Sequence, residues 1–256
     1  MGNNGISIQT HELCKTFGPV QAVRNLNLEV ATGGRFGFLG PNGAGKTTTV
    51  RMLTGLMRPT SGSAKVLGRD IVQEASEIKS LTGLLPETPG LYSKLSAVEF
   101  LDFIGALNNL EGKVLQRRID RLLALLGLEG RQDDLLDKYS SGMKQKVLVA
   151  STLLHEPKIV FLDEPTSRLD PGAAALVKDL ILVLAEEMDT TFFICTHQTS
   201  FAEDVCDNVG IISDGLLVTM GSPEAIVESA KVKDLEDAYL QIVGGKVDRS
   251  RLLAWR

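Results

Sequence analysis

Gly40-Pro41-Asn42-Gly43-Ala44-Gly45-Lys46-Thr47 stands between the apolar run Phe36-Gly37-Phe38-Leu39, which reads as a buried strand, and a stretch with helical character. The spacing fits GxxxxGK[ST], and the strand before it and helix after it are the context that gives the pattern meaning. Glycines at these intervals let consecutive backbone N–H groups curve around a phosphate, and the following helix aims its positive end at the same point. Lys46 then supplies a point charge for the outer phosphates, and the Thr47 hydroxyl a ligand for Mg²⁺. The expected ligand is a nucleoside triphosphate, contacted by Gly40, Pro41, Asn42, Gly43, Ala44, Gly45, Lys46, Thr47 and the adjoining Thr48.

Two further apolar runs lie downstream. Ile159-Val160-Phe161-Leu162 ends in Asp163-Glu164, and Thr191-Phe192-Phe193-Ile194-Cys195 ends in Thr196-His197. Strands that run straight into polar clusters suggest an open α/β sheet, whose sites sit at strand C-termini. Paired acids at a strand end often only decorate a helix N-terminus. Beside a phosphate-binding loop they read otherwise: Asp163 can hold the metal, usually through water, and Glu164 can polarise an attacking water.

Between the first and second strands the pattern turns helical. Ser96-x-x-Glu99 is a capping box ahead of Phe100 to Leu107. Leu115, Ile119, Leu122, Leu123 and Leu126 share a helix face, with Gly127 as the stop. Residues 87–155 are therefore expected to form a helical insertion in an α/β core made of residues 1–86 and 156–221. Farther on, Asp214-Gly215 between two apolar runs predicts a tight hairpin. Ser222-Pro223-Glu224 opens a helical tail over 222–256.

Composition narrows the function. With 43% hydrophobic residues in 256, the chain can bury a substantial core, and a net charge of −5 argues against a global nucleic-acid grip. No apolar run approaches the roughly 18 residues that a membrane span needs. Three cysteines, Cys14, Cys195 and Cys206, without CxxC spacing read as buried side chains or free thiols. The first residues lack the basic and then apolar run of a secretion signal, so a cytoplasmic location is expected.

The phosphate loop, Tyr139-Ser140-Ser141-Gly142-Met143, Ile159 to Glu164, Ser167-Arg168-Leu169-Asp170 and Thr196-His197, in that order, resemble the ATPase subunit of ABC transporters. The resemblance covers nearly the whole chain. It implies an α/β P-loop NTPase (RecA-like) core, an N-terminal antiparallel β region and an inserted helical subdomain carrying the signature motif. It further implies that Phe17 stacks on adenine with Val23 beside it, that Glu164 is the catalytic base, and that His197 contacts the γ-phosphate. Tyr139, Ser140, Ser141, Gly142 and Met143 would form the signature loop that closes over ATP held by a second subunit, with Asp170 at the same interface. ATP and Mg²⁺, an ATP-dependent dimer, most simply a homodimer, and an integral-membrane permease follow as partners. The chain would then sit on the inner face of the cell membrane, without nucleic acid.

Three departures stand out. Tyr139, Ser141 and Met143 replace the first, third and fifth residues of the usual LSGGQ. Glu87, in Leu84-Leu85-Pro86-Glu87, occupies the usual place of a glutamine and adds a carboxylate beside the expected metal, so it joins Thr47 and Asp163 as a candidate ligand; pairing with Lys79 or Lys94 is the alternative. Arg168 replaces a small residue. The YSxGM form and Leu235-Glu-Asp-Ala-Tyr-Leu look like exporters whose ATPase and permease are separate chains. An importer ATPase and a soluble ABC ATPase are the rivals; the former commonly carries LSGGQ, and the latter often a heptad-patterned insertion, which residues 87–155 lack.

Overall fold

The computed structural model describes residues 5–87, 90–167 and 169–244. A hairpin of β1 (Ile6–Phe17) and β2 (Val20–Ala31) leads into β3 (Arg35–Leu39), the phosphate loop and α1 (Lys46–Leu53). Next come β4 (Ser61–Val66), β5 (Arg69–Asp70), α2 (Ala75–Leu81) and β6 (Thr82–Leu85). A helical stretch follows, with α3 (Ala97–Leu107), α4 (Gly112–Leu125), a 3-10 turn at Leu136–Lys138 and α5 (Ser141–Leu153). The order continues β7 (Ile159–Asp163), α6 (Pro171–Met188), β8 (Thr191–Thr196), α7 (Thr199–Val205), β9 (Asn208–Ser213), β10 (Leu216–Gly221), α8 (Pro223–Ala230) and α9 (Leu235–Val243).

Two sheets result. The larger has the order β10-β9-β3-β8-β7-β6 and is parallel except for β10. The smaller, β2-β1-β4-β5, is antiparallel, which is the N-terminal β region that the resemblance implied.

The central strands are apolar between their end residues because both faces of the large sheet are covered. Successive side chains alternate between two cores. Val160, Leu162, Phe192 and Ile194 face the helices and join Leu101, Ile119, Leu123 and Ile226. Ile159, Phe161, Phe193 and Cys195 face the other way, toward Ile8, Leu13 and Leu28 of the small sheet and Val50, Met52 and Leu53 of α1. Phe193 is the hub of that second core, with its ring centroid 5.4 Å from those of Phe36 and Phe38 and 5.6 Å from that of Phe161. Each such ring, fully buried, contributes about 1.5–3 kcal/mol of transfer free energy. The phosphate-loop helix is thus clamped between two sheets.

Helix ends follow their sequence signals. Ser96 and Glu99 form both bonds of the capping box. Asp170 and Ser222 cap α6 and α8 with proline in the first turn, and Gly127 ends the α4 turn at a φ of 65°. Asp214 and Gly215 take φ values of 48° and 79°, the left-handed pair a tight two-residue hairpin needs. The expectation of a helical excursion after the first strand needs one refinement. β6, only four residues long, pairs with β7 at the sheet edge, so the excursion runs from β6 to β7. Leu101, Leu115, Ile119, Leu123 and Val147 share one apolar cluster with the sheet, so no gap in packing separates these helices from it. No helix of the described residues is long and apolar enough to cross a membrane.

Candidate functional site

The site assembles at the C-terminal ends of β3, β7 and β8, adjacent in the sheet. Gly45 takes a φ of 110°, and a Cβ there would run into the Ala22 carbonyl, so only glycine lets the loop lie this close to β2. The hairpin turn secures the loop from the other side: Gly215 N–H donates to Ala44 O at 3.0 Å, and Arg24 N–H to Gly215 O at 2.8 Å.

A cleft of 310 Å³ opens over this loop, lined by Ala22, Pro41, Asn42, Gly43, Gly45, Lys46, Thr47, Thr48, Glu87, Asp163 and Glu164. Gly40 and Ala44 are buried behind it. Lys46 is buried, and its Nζ donates to the carbonyls of Gly40 at 2.5 Å and Pro41 at 3.2 Å. Among the described residues no carboxylate forms an ion pair with it. A buried ammonium satisfied only by neutral carbonyls is a site for an anion.

Opposite stand the acids. Thr47 Oγ1 donates to Asp163 Oδ2 at 2.7 Å. Burial pushes the Asp163 carboxyl above the usual range; the Thr47 hydrogen bond and Lys46 oppose this, and the Glu87 and Glu164 charges add to it. Glu164 sits in the left-handed region at a φ of 54°, held there by its backbone N–H on Cys195 O at 2.9 Å. Its Oε1 meets His197 Nδ1 at 2.7 Å, and its Oε2 accepts from Thr196 Oγ1 at 3.2 Å. The following turn is tied to the helical stretch by Gln145 Nε2 on Pro165 O at 3.2 Å.

Among the described residues no group of three or more His, Cys, Asp and Glu side chains is placed to hold a metal alone. The Thr47 and Asp163 pair nevertheless suits Mg²⁺, which takes one or two protein oxygens and completes its shell with phosphate and water. Glu87 is exposed on the cleft wall. Lys94, one of its two alternative partners, pairs with Asp137 at 3.0 Å.

The remaining expected residues lie around this centre. Phe17 ends β1 at 46% exposure, with Lys15 Nζ 5.1 Å from its ring centroid, and does not line the cleft. Val23 is buried against the loop. The five residues Tyr139 to Met143 open α5 away from the cleft. Tyr139 is buried and donates its hydroxyl to Arg131 O at 2.6 Å, Met143 is half-buried, and Ser140, exposed, accepts from Met143 N–H at 3.2 Å. Asp170 is exposed and caps α6 through Ala173 N–H at 3.0 Å. Arg168 and residues 245–256 lie outside the described residues. Ala22, Thr196, Gln145 and Gly215 also build the site; for Thr196 the only sequence signal is its place before His197.

The family described as ABC transporter matches residues 23–167. The bacitracin transport ATP-binding protein BcrA of Bacillus licheniformis is 41% identical over 211 residues, covering 82% of this chain and 68% of that protein. ABC transporter A family member 10 of Arabidopsis thaliana is 40% identical over 211 residues, of which this chain spans 23% of the plant protein's length. A solved ATP binding subunit of an ABC transporter superposes with a TM-score of 0.84 at 26% identity, covering 92% of this chain and 98% of that one. With the family match spanning more than half of its length, and with the phosphate loop and paired acids in one cleft, the chain belongs to the ABC transporter family as an ATP-binding subunit.

Proposed function

We propose that the chain hydrolyses Mg-ATP in this cleft and uses the cycle to drive export through a membrane permease, from the inner face of the cell membrane. Lys46 carries the reading: a buried cation facing a glycine-built loop, without a carboxylate of its own, is complementary to a polyphosphate. Gly40 to Thr48 cradle the phosphates. Phe17 keeps an exposed face for the adenine ring, and Val23 packs beneath the loop beside it. Glu164 takes the proton of the attacking water, and His197 contacts the terminal phosphate. Thr47 and Asp163 would hold Mg²⁺, with Glu87 as a further carboxylate; the ion supplies charge neutralisation on the phosphates.

The second copy enters because none of Tyr139 to Met143 lines the chain's own cleft. The α5 N-terminus, with Ser140 and Ser141 exposed and Gly142 allowing close approach, faces ATP bound by a partner, and Asp170 lies on the same interface. A two-fold arrangement closes both sites at once. Closure and reopening then move the helical subdomain, residues 87–155, against the permease, while residues 1–86 and 156–221 hold nucleotide and 222–256 form the tail. Export is supported by the transport role in the name of the bacitracin relative and by the YSxGM form of the signature.

Two measurements test these assignments. Phosphate release from ATP by the purified chain is expected to require Mg²⁺, and Glu87→Gln is expected to raise the Mg²⁺ concentration for half-maximal rate, because an amide oxygen is the weaker ligand. Superimposable magnesium titrations would remove Glu87 from the metal, and release without any divalent ion would overturn the hydrolytic scheme. Second, Ser140→Arg is expected to abolish ATP-driven dimerisation while each chain still binds nucleotide. Mixed with Lys46→Ala, it leaves one composite site built entirely of unaltered parts, so part of the activity returns. No recovery at any ratio would contradict the arrangement in trans.

A further inference from the structure

The Glu164 carboxylate is gripped by two consecutive residues at the end of one strand, and the two differ in freedom. Thr196 is fully enclosed at 0% exposure and donates through Oγ1 to Oε2 at 3.2 Å. His197 meets Oε1 at 2.7 Å, but its side chain is 57% exposed. The Thr196 hydroxyl also accepts from the Gln198 backbone N–H at 3.0 Å. A hydroxyl has one hydrogen, so with a lone pair taken by that N–H its proton is directed at Oε2. Threonine is stiff about χ1, which adds to the fixed geometry.

We propose that Thr196 is a positioning residue for hydrolysis: its hydroxyl anchors Oε2, which leaves Oε1 as the oxygen that receives the water's proton once His197 turns to the phosphate. The inference rests on the reading of Glu164 as the base. In that step the water oxygen bonds to the terminal phosphorus, the bond from that phosphorus to the leaving ADP oxygen breaks with its electron pair on ADP, and the water proton passes to Oε1. An unanchored carboxylate rotates among orientations, and misplacement of a base by a fraction of an ångström lowers the rate without altering nucleotide binding. Thr196 is fully enclosed and does not line the cleft, so its contribution is expected in kcat and not in KM.

The test compares Thr196→Val, which keeps the shape and deletes the hydroxyl, with Thr196→Ser, which keeps the hydroxyl. In the full chain with Mg-ATP, Thr196→Val is expected to lower kcat by about 10- to 100-fold, with KM and nucleotide affinity within about twofold of wild type. Thr196→Ser is expected to recover most of that loss. A wild-type kcat for Thr196→Val, an effect confined to KM, or a Thr196→Ser variant as slow as Thr196→Val would overturn the proposal. Glu164→Gln run alongside separates the two claims: full turnover there removes the base itself, whereas its inactivity beside a fully active Thr196→Val removes only the anchor.

Discussion

Glu164→Gln is expected to bind Mg-ATP as the wild type does and to hydrolyse it about 10²- to 10⁴-fold more slowly, the usual contribution of a positioned general base. The amide is close to the carboxylate in shape, and its carbonyl can still accept from Thr196 Oγ1 while its NH₂ group donates to His197 Nδ1, so the site's outline persists. What it lacks is a basic oxygen for the water's proton. With the chemical step blocked and binding intact, the ATP-bound dimer accumulates. Size-exclusion chromatography with and without Mg-ATP reads this directly, and a variant that stays monomeric under saturating ATP would separate nucleotide binding from closure.

Lys46→Ala is expected to fail earlier, at binding. Among the described residues the ammonium is the one buried cation lining the cleft, and its hydrogen bonds to Gly40 O and Pro41 O position it over the loop without neutralising it. Charge-assisted hydrogen bonds of this kind contribute about 1.5–3 kcal/mol, which corresponds to roughly 10- to 100-fold in Kd. Calorimetric titration with ATP is expected to show that loss, with thermal stability near wild type because only main-chain carbonyls lose a partner. Unchanged affinity would place the phosphates elsewhere.

The sequence carries the core of this site because its chemistry is local. A phosphate loop must be glycine-rich, must follow a strand and must open a helix, so Gly40 to Thr47 announce their conformation and point to a phosphate as the ligand to expect. Asp163 and Glu164 are legible for the same reason, since they terminate a run too apolar to be anything but a buried strand. The hairpin at Asp214-Gly215 and the caps at Ser96 and Ser222 are set by neighbours within three residues, and the structure has each of them.

Long-range pairings leave fainter traces. β6 is four residues with a glycine inside, too short for a periodicity to emerge, and it exists because β7 offers it an edge. That Gly215 steadies the phosphate loop across 171 positions of sequence, or that Gln145 reaches the Pro165 carbonyl, depends on a folded geometry that no spacing encodes. Thr196 is the sharpest case. A threonine at the end of a β-branched and aromatic strand is unremarkable by propensity. Its bond to Glu164 depends on the pairing of β7 with β8 and on a left-handed Glu164 whose backbone N–H donates to Cys195 O, neither of which a propensity marks. The small antiparallel sheet is implied by the family resemblance and by no local signal, and its packing on α1 is a long-range contact in which Val50, Met52 and Leu53 share one cluster with Phe161 and Ile8.

On the reading proposed above, Glu164 takes the proton of the water that attacks ATP held by Lys46. The most direct measurement is the identity of the nucleotide retained by Glu164→Gln after incubation with Mg-ATP and rapid removal of free nucleotide, separated by ion-exchange chromatography beside wild type. Intact ATP is expected in the variant and ADP in the wild type. ADP in both, formed at the same rate, would contradict it.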